Sequence, residues 1–247
     1  MTTPVKSADR TLDILEALAA AGPSTLSELT RLLDIPKSSL HGILRTMAAR
    51  GWIEASDTRF RLGLRALQVG AAYLDADDTV GLLAGILDDL AARFGETTHL
   101  GRLDGRDITY VAKRESVHPL RLYSAIGRRL PAHATALGKV LLAGRPLAEV
   151  DALLPDPLPA LTPHTITDRA ALHAELASIR AAGYAVDREE NTEGIVCVAR
   201  VVPMREPATD AISLSIPRTR VSPSTVDEVA AALSEAVSKA ASARRFL

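Results

Sequence analysis

Residues 36–50 read PKSSLHGILRTMAAR, and the spacing of their apolar positions predicts one amphipathic helix. The apolar residues recur at i, i+3, i+4 and i+7 and form a single stripe of Leu40, Ile43, Leu44 and Met47. At 3.6 residues per turn, the opposite side carries Ser38, His41 and Arg45, with Gly42 among them. Pro36 suits the start of this helix, and Gly51 ends it. The segment therefore has one face to bury and one polar face to present to a partner.

Two further helical segments precede this helix, and a hairpin follows it. Residues 7–20 and 26–34 carry leucines at helical spacing, and the candidates for burial are Leu12, Leu15, Leu18, Leu26, Leu29 and Leu33. After Gly51, residues 52–54 and 59–62 form short β-prone runs on either side of the turn Asp57-Thr58. Three helices, the last two joined by a tight turn, followed by a hairpin are typical of a winged helix-turn-helix, which binds DNA.

Length, charge and cysteine content set the broad class. A chain of 247 residues favours two domains over one. The net charge is −1, but residues 31–65 hold seven Lys/Arg against three Asp/Glu, so this block carries +4 and the rest −5. Such a basic block indicates a polyanionic partner, and a solvated charged face is the alternative interpretation. The single cysteine, Cys197, fits a reducing cytoplasm, and no apolar run approaches the roughly 20 residues that span a bilayer.

The remainder of the chain predicts a linker helix and a second domain. We expect a winged helix-turn-helix domain over residues 1–65, a linker helix over 66–78 and a second domain over 79–247. In the second domain, predicted strands cover residues 98–104, 107–113, 120–124, 184–187, 196–202 and 211–216. Predicted helices cover residues 135–143, 147–154, 168–182 and 224–244. This order predicts an α+β domain in which helices flank an antiparallel sheet.

An ordered set of short motifs resembles the IclR family of transcriptional regulators. In the first domain the motifs are SADRTLDIL (7–15), LSEL (26–29), PKSSLH (36–41) and FRLG (60–63). In the second they are GETTHL (95–100), GRRLPAHATALGK (127–139), GYAVD (183–187), EEN (189–191) and GIVC (194–197). The resemblance covers essentially the whole chain. It implies a winged helix-turn-helix, a GAF-like effector-binding domain, and dimers that pair again into tetramers.

Two positions depart from the family pattern. Gly42 stands where the family commonly has a larger, often basic residue on the recognition helix. The stretch from Ser213 to Pro217 lacks the glycine that usually precedes this proline. The first departure bears on the preferred DNA sequence and the second on the rim of the effector pocket.

The polar face of the 36–50 helix supplies the candidate DNA-binding residues. An α-helix fits the major groove, where an arginine can pair bidentately with guanine. The helix N-terminus favours phosphate, and the wing can reach the DNA backbone or minor groove. The predicted set is Lys37, Ser38, Ser39, His41, Arg45 and Arg59. A merely exposed polar surface is the alternative, and we expect Trp52 and Phe60 to pack in the wing. One wing with so few cations binds weakly, so we expect a dimer, with apolar surface on the linker helix.

The family resemblance also implies an effector site. Carried over motif by motif, its members are Ala136, Leu137, Asp187, Cys197, Ser213 and Ser215. Amides at a helix N-terminus form an anion cradle, and hydroxyls two apart on a strand point to the same face. Such a cluster suits a small carboxylate or oxo-acid. Taken singly, the cysteine is also compatible with a core position, the serines with an edge strand and the aspartate with a turn.

These patterns predict a transcriptional regulator, which we expect to be a cytoplasmic repressor. Its partners are double-stranded operator DNA, a carboxylate effector and a second copy of itself, with no membrane. We expect no catalytic residue, no cofactor and no metal site, because the histidines lack zinc-ligand spacing and no phosphate-binding glycine loop appears. Two alternatives stay open: a metabolite sensor without a specific operator, and a hydrolase that uses Cys197 with His99 or His133.

Overall fold

The computed structural model describes the backbone of residues 5–120 and 124–244. The chain divides into two compact units, Met1–Ala76 and Asp77–Leu247. Within the described ranges, no helix combines the length and the apolar character needed to cross a bilayer.

The first unit contains the predicted three helices and hairpin. The helices are α1 (Lys6–Ala21), α2 (Leu26–Leu33) and α3 (Lys37–Ala49), followed by β2 (Ile53–Ser56) and β3 (Arg59–Leu62). A two-residue strand, β1 (Ser24–Thr25), pairs antiparallel with β3 and was not expected from the sequence. Helix α4 (Leu64–Asp75) completes the unit. Thr25 and Glu28 form a reciprocal capping box that fixes the start of α2.

One apolar cluster holds the three helices and the hairpin together. Its buried members are Ile14, Ala17, Leu18, Leu29, Ile35, Leu40, Leu44, Met47 and Ile53. Trp52 and Phe60 are partly buried against this cluster, as expected for the wing. The prediction that Leu12 is buried is wrong, since this side chain is 59% exposed. Ile14 takes its place because α1 turns the 14–17–18 stripe towards α2 and α3.

The second unit is an antiparallel sheet between helices, which confirms the predicted α+β class. Its helices are α5 (Asp78–Phe94), α6 (Ala136–Ala143), α7 (Leu147–Leu153), α8 (Arg169–Ala182) and α9 (Thr225–Arg244). Its strands are β4 (Thr97–Asp104), β5 (Asp107–Arg114), β6 (Arg129–Pro131), β7 (Ala185–Arg188), β8 (Ile195–Val202) and β9 (Asp210–Pro217). The sheet order is β6-β5-β4-β9-β8-β7, and every neighbouring pair is antiparallel.

The two faces of this sheet bury different helices. Helices α6, α7 and α8 share a core cluster with side chains of one face, including Tyr110, Ala199 and Ala211. On the opposite face, α5 packs on β4 and β5 while α9 packs on β8 and β9. Strand β6 was not predicted. The predicted strand at 120–124 has its central residues, 121–123, outside the described residues, while Leu120 and Ser124 are not in a strand.

A buried ion-pair network secures the first residue of the second unit. Asp77 caps α5 by accepting hydrogen bonds from the amides of Thr79 and Val80. The Arg102 guanidinium on β4 contacts the Asp77 carboxylate and also donates through Nε to Asp210 Oδ1 at 2.7 Å. The hydrogen bonds from Arg102 hold the pKa of Asp77 below its ordinary value. The network therefore ties the start of α5 to β4 and β9.

Candidate functional site

The candidate recognition surface of the first unit is the exposed side of α3. Leu40, Leu44 and Met47 are buried in the core, so the remaining side of the helix faces solvent. Five of the predicted DNA-binding residues are exposed there: Lys37, Ser38, Ser39, His41 and Arg45. Gly42 lies on the same side, and a Cβ atom added to it would meet nothing within 4 Å. The helix face around Gly42 is therefore open to solvent.

The N-terminus of α3 leaves its backbone amides available. Pro36 precedes the helix and makes no side-chain cap hydrogen bond. The amide of Leu40 bonds the Pro36 carbonyl, but within residues 5–120 and 124–244 the amides of Lys37, Ser38 and Ser39 have no acceptor. Free amides together with the helix dipole make this end of α3 attractive to a phosphate.

The wing arginines are engaged within the first unit. Arg59, at the start of β3, donates through Nη1 to the Pro23 carbonyl at 2.8 Å and lies 3.5 Å from Glu28 Oε2. Arg61 bonds the Glu54 carboxylate across the hairpin at 2.6 Å. The Arg59 guanidinium, predicted to contact DNA, is therefore directed back towards β1 and α2, although its side chain is half exposed.

A cavity in the second unit brings together all six predicted effector-site residues. The space between the side chains measures about 330 Å³, part of it open solvent. Ala136 and Leu137 line it from α6, Asp187 from β7, Cys197 from β8, and Ser213 and Ser215 from β9. The other lining residues are Tyr110, Leu130, Thr135, Asn191, Thr192 and Ile195.

Sheet register explains why these side chains converge. Asp187 is the direct partner of Cys197, and Cys197 is the direct partner of Ser215, so the three form one row across β7, β8 and β9. Ser213 lies two residues from Ser215 and points to the same face. The Cys197 thiol donates to Ser215 Oγ at 3.2 Å. This polar row lies on the sheet face that α6 covers.

The N-terminus of α6 supplies the backbone donors of the cavity. Thr135 caps the helix by accepting a hydrogen bond from the Gly138 amide at 3.0 Å. In the described part of the chain, the amides of Ala136 and Leu137 have no acceptor. Gly138 lets α6 approach the preceding turn, because a Cβ atom there would lie 2.1 Å from the Ala132 carbonyl oxygen. The arrangement is an anion cradle built from one helix end.

Asp187 is the cavity residue whose charge state is most sensitive to pH. Burial, followed by the neighbouring Glu190 carboxylate, raises the pKa of Asp187 to about 7, and the Lys139 ammonium opposes that rise. Its Oδ1 accepts the Glu190 amide at 2.7 Å. Near neutral pH the carboxyl group is therefore partly protonated and can donate a hydrogen bond to an anion.

A buried lysine joins the two walls of the cavity. Lys139, on α6, is 0% exposed. Its Nζ donates to Glu190 Oε1 at 2.6 Å, Glu175 Oε1 at 2.8 Å and the Val186 carbonyl at 2.8 Å. These bonds fasten α6 to α8 and to the end of β7. Sequence analysis did not select Lys139 or Glu190, although a single lysine within the apolar run of α6 was an available signal.

Two family models match the chain. The IclR helix-turn-helix domain matches residues 7–57, and the C-terminal region of the bacterial transcriptional regulator IclR matches residues 71–242. The chain belongs to the IclR family of transcriptional regulators. As an IclR-family protein, it combines a DNA-binding helix-turn-helix domain with an effector-binding C-terminal domain.

Its relatives in the IclR family match along most of their length. The chain is 39% identical over 222 residues to the HTH-type transcriptional regulator XynR of Escherichia coli K12, covering 88% of each protein. It is 30% identical over 220 residues to the HTH-type transcriptional repressor AllR of Klebsiella pneumoniae, covering 87% of this chain and 81% of that one. It matches a crystal structure of an IclR regulator from Alicyclobacillus acidocaldarius with a TM-score of 0.86 at 25% identity, covering 97% and 99% of the two chains.

The cysteine of this IclR-family cavity is a poor nucleophile. Burial, followed by the nearby Asp187 carboxylate, raises the pKa of the Cys197 thiol far above its ordinary value. Burial lowers the pKa of His99 to about 3, and its Nδ1 lies 3.4 Å from Ser215 Oγ. His133 instead bonds the Pro159 carbonyl through Nε2 at 3.0 Å. A neutral thiol without a basic imidazole does not meet the needs of thiolate catalysis.

Proposed function

We propose that this IclR-family chain is a repressor that binds operator DNA as a homodimer and responds to a small carboxylate effector. The observation that carries the proposal is the pairing of an exposed polar face on α3 with a separate cavity that combines free helix amides, hydroxyls and a protonatable carboxyl. Repression is supported by the relative AllR, which is named a repressor. Because its proposed partner is operator DNA, we propose that the protein acts in the cytoplasm. We also propose that it has no catalytic activity.

In the proposed complex, α3 enters the major groove of double-stranded operator DNA. Ser38, His41 and Arg45 face the base edges, and Arg45 reads guanine. Lys37 and Ser39, next to the free amides of α3, hold phosphates and fix the register. Arg59 joins the DNA backbone after exchanging its contacts with Pro23 and Glu28 for a phosphate.

The proposed dimer uses α4, most of which lies in the linker 66–78 that we propose between the DNA-binding residues 1–65 and the effector-binding residues 79–247. Leu64 and Leu67 lie about 60° apart on one face of this helix, and both are more than half exposed, so they form adjoining apolar surface. Burial against the same helix of a second copy covers them and doubles the DNA contacts, as a palindromic operator needs. Dimers then pair into tetramers.

Replacement of Arg45 by alanine tests the proposed recognition face. The probe is a DNA duplex from upstream of the protein's own gene, and wild type and variant are compared at the same salt concentration. We expect the variant to bind this duplex about 10- to 100-fold more weakly, because one bidentate base contact is lost. Arg50→Ala is the matched control. It removes the same charge from the C-terminal end of α3, about 140° around the helix from Arg45. Footprinting and fluorescence anisotropy measure both variants.

If the DNA-binding and effector-binding sites are separate, the same variants should also give a second result. Effector affinity, measured by calorimetry, should be equal in Arg45→Ala, Arg50→Ala and the wild type. Equal losses of operator and effector binding in Arg45→Ala contradict separate sites. A wild-type protein that binds the upstream duplex and a shuffled duplex equally is a sensor without a specific operator.

We propose that the carboxylate of the effector is held by the Ala136 and Leu137 amides together with Ser213, Ser215 and the protonated form of Asp187. The ligand stays ionised between pH 6 and 8, because an ordinary carboxyl group has a pKa near 4. Ionised Asp187 repels it, whereas protonated Asp187 donates to it. Binding therefore takes up a proton at Asp187.

We expect effector affinity to fall as pH rises through about 7. With a pKa of about 7, Asp187 is mostly protonated at pH 6 and mostly ionised at pH 8, so binding weakens by about tenfold across this interval. Calorimetry with one carboxylate at pH 6, 7 and 8 measures the change. Asp187→Asn, which mimics the neutral carboxyl, should bind with little pH dependence. Affinity that is constant or rises with pH in the wild type refutes the assigned proton.

A further inference from the structure

The turn between β7 and β8 contributes one unpaired donor to the effector cavity. Asn191 lines the cavity, and its side-chain Oδ1 accepts a hydrogen bond from the Thr192 hydroxyl at 3.2 Å. Its Nδ2 is buried and has no hydrogen-bond acceptor within residues 5–120 and 124–244. Buried donors without a partner are rare in folded proteins, and a partner from outside the chain is one physical explanation for such a donor. This amide is therefore available to a ligand.

The turn that carries Asn191 is fixed in place. Immediately before it, Glu190 is bonded from three directions: Lys139 Nζ reaches its carboxylate at 2.6 Å, the Thr165 hydroxyl reaches its carbonyl at 2.6 Å, and its amide donates to Asp187 at 2.7 Å. A donor held by such a framework keeps its position whether or not a ligand is present, which is what selective binding requires. The backbone next to Asn191 is therefore held in place, and the Thr192 hydroxyl bonds the Oδ1 atom of the Asn191 side chain.

We propose that Asn191 is a specificity-determining residue, whose amide donates a hydrogen bond to an effector oxygen outside the bound carboxylate group. The inference rests on the proposed function, in which the α6 amides hold that carboxylate. A carboxylate offers about four acceptor positions, which the two α6 amides, Ser213, Ser215 and protonated Asp187 already fill, so the Asn191 amide meets a different atom of the ligand. An alkyl tail leaves the Nδ2 donor unpaired, whereas a hydroxyl or oxo oxygen completes it. The ligand class that fits is a hydroxy- or oxo-carboxylic acid.

A matched set of acids separates this role from general cavity filling. The probes are butanoate and hexanoate, each compared with its hydroxy and oxo derivatives by calorimetry at pH 6.5. For the wild type, we expect at least one oxygenated acid to bind about tenfold or more tightly than its parent acid, because a site with a buried donor rejects analogues that lack the acceptor. In Asn191→Ala, the advantage should fall below about threefold while the affinity for the parent acid stays within about twofold.

Two variants control for shape and for folding. Asn191→Leu keeps the branched shape of the side chain without its N–H donors and without adding a charge, and it should also lose the advantage. Glu193→Ala alters an exposed residue of the same turn that does not line the cavity, and it should leave every affinity unchanged. Thermal unfolding of all three variants shows whether the turn remains folded.

The outcomes distinguish the inference from the proposal on which it rests. If the acids bind the wild type but oxygenated and parent acids bind equally, the role of Asn191 is wrong and the carboxylate site stands. The same conclusion follows if Asn191→Ala keeps the full advantage. If none of the acids binds the wild type at millimolar concentration, the carboxylate proposal is overturned and the role of Asn191 with it.

Discussion

Gly138→Ala should destabilise the second unit by about 3 kcal/mol and abolish carboxylate binding, because no flexible atom can yield to the added methyl group. A Cβ atom at this position lies 2.1 Å from the carbonyl oxygen and 2.3 Å from the Cα of Ala132, both backbone atoms. To relieve the contact, α6 must move away from the 132–134 turn. This movement carries the Ala136 and Leu137 amides out of the cavity. Urea denaturation and calorimetry measure the two losses.

A glycine in an open helix provides the matched control for Gly138. Gly85, in the middle of α5, has nothing within 4 Å of an added Cβ. Gly85→Ala should stabilise the protein by about 0.5–1 kcal/mol, because alanine restricts the unfolded chain and favours helix. A Gly138→Ala protein with wild-type stability contradicts the close approach of α6 to Ala132.

Lys139→Met should cost about 3–5 kcal/mol of unfolding free energy, because it leaves the buried Glu190 carboxylate without its cation. The ammonium group has three acceptors at 2.6–2.8 Å, and methionine replaces none of those hydrogen bonds. Glu175, which is about one-third exposed, can turn to water, but Glu190 cannot. Chemical denaturation at pH 7 measures the loss.

The double variant Lys139→Met with Glu190→Gln separates an unpaired charge from lost packing. Removal of both charges should recover more than half of the stability lost in the single variant, since the uncompensated anion no longer exists. A double variant as unstable as Lys139→Met would mean that the lysine acts through its aliphatic chain. Because Lys139 opposes the rise in the pKa of Asp187, the single variant should also keep Asp187 protonated to higher pH.

The helices of the first unit could be predicted because each has a local signal in the sequence. Spacing alone identified the buried stripe of α3, and the capping residues Thr25 and Glu28 mark the start of α2. Strands β1 and β6 could not be predicted in this way. They are two and three residues long and exist only through pairing with β3 and β5, which is a long-range property. Leu12 was misassigned because periodicity does not distinguish a core-facing leucine from an exposed one.

The residues of the candidate site also fall into two groups: those that could be predicted from the sequence and those that could not. The family resemblance supplied Ala136, Leu137, Asp187, Cys197, Ser213 and Ser215, and all six line one cavity. Lys139, Glu190 and Asn191 were not predicted as site residues. What distinguishes them is the set of hydrogen bonds that each makes or lacks in the folded protein. An unsatisfied amide on Asn191 and a raised pKa at Asp187 depend on burial, and no spacing rule expresses that.

The ion-pair network around Asp77 has a practical consequence for exchanging parts between relatives. Its three members, Asp77, Arg102 and Asp210, all belong to the second unit and lie almost wholly out of solvent. A hybrid protein in which a relative's first unit is joined to this chain at or before Ala76 keeps the whole network. A hybrid joined a few codons later replaces Asp77 by the relative's residue and leaves the Arg102 guanidinium with Asp210 as its remaining partner in this network. The junction for transferring a new operator preference to this effector-binding unit therefore has a definite downstream limit at Ala76.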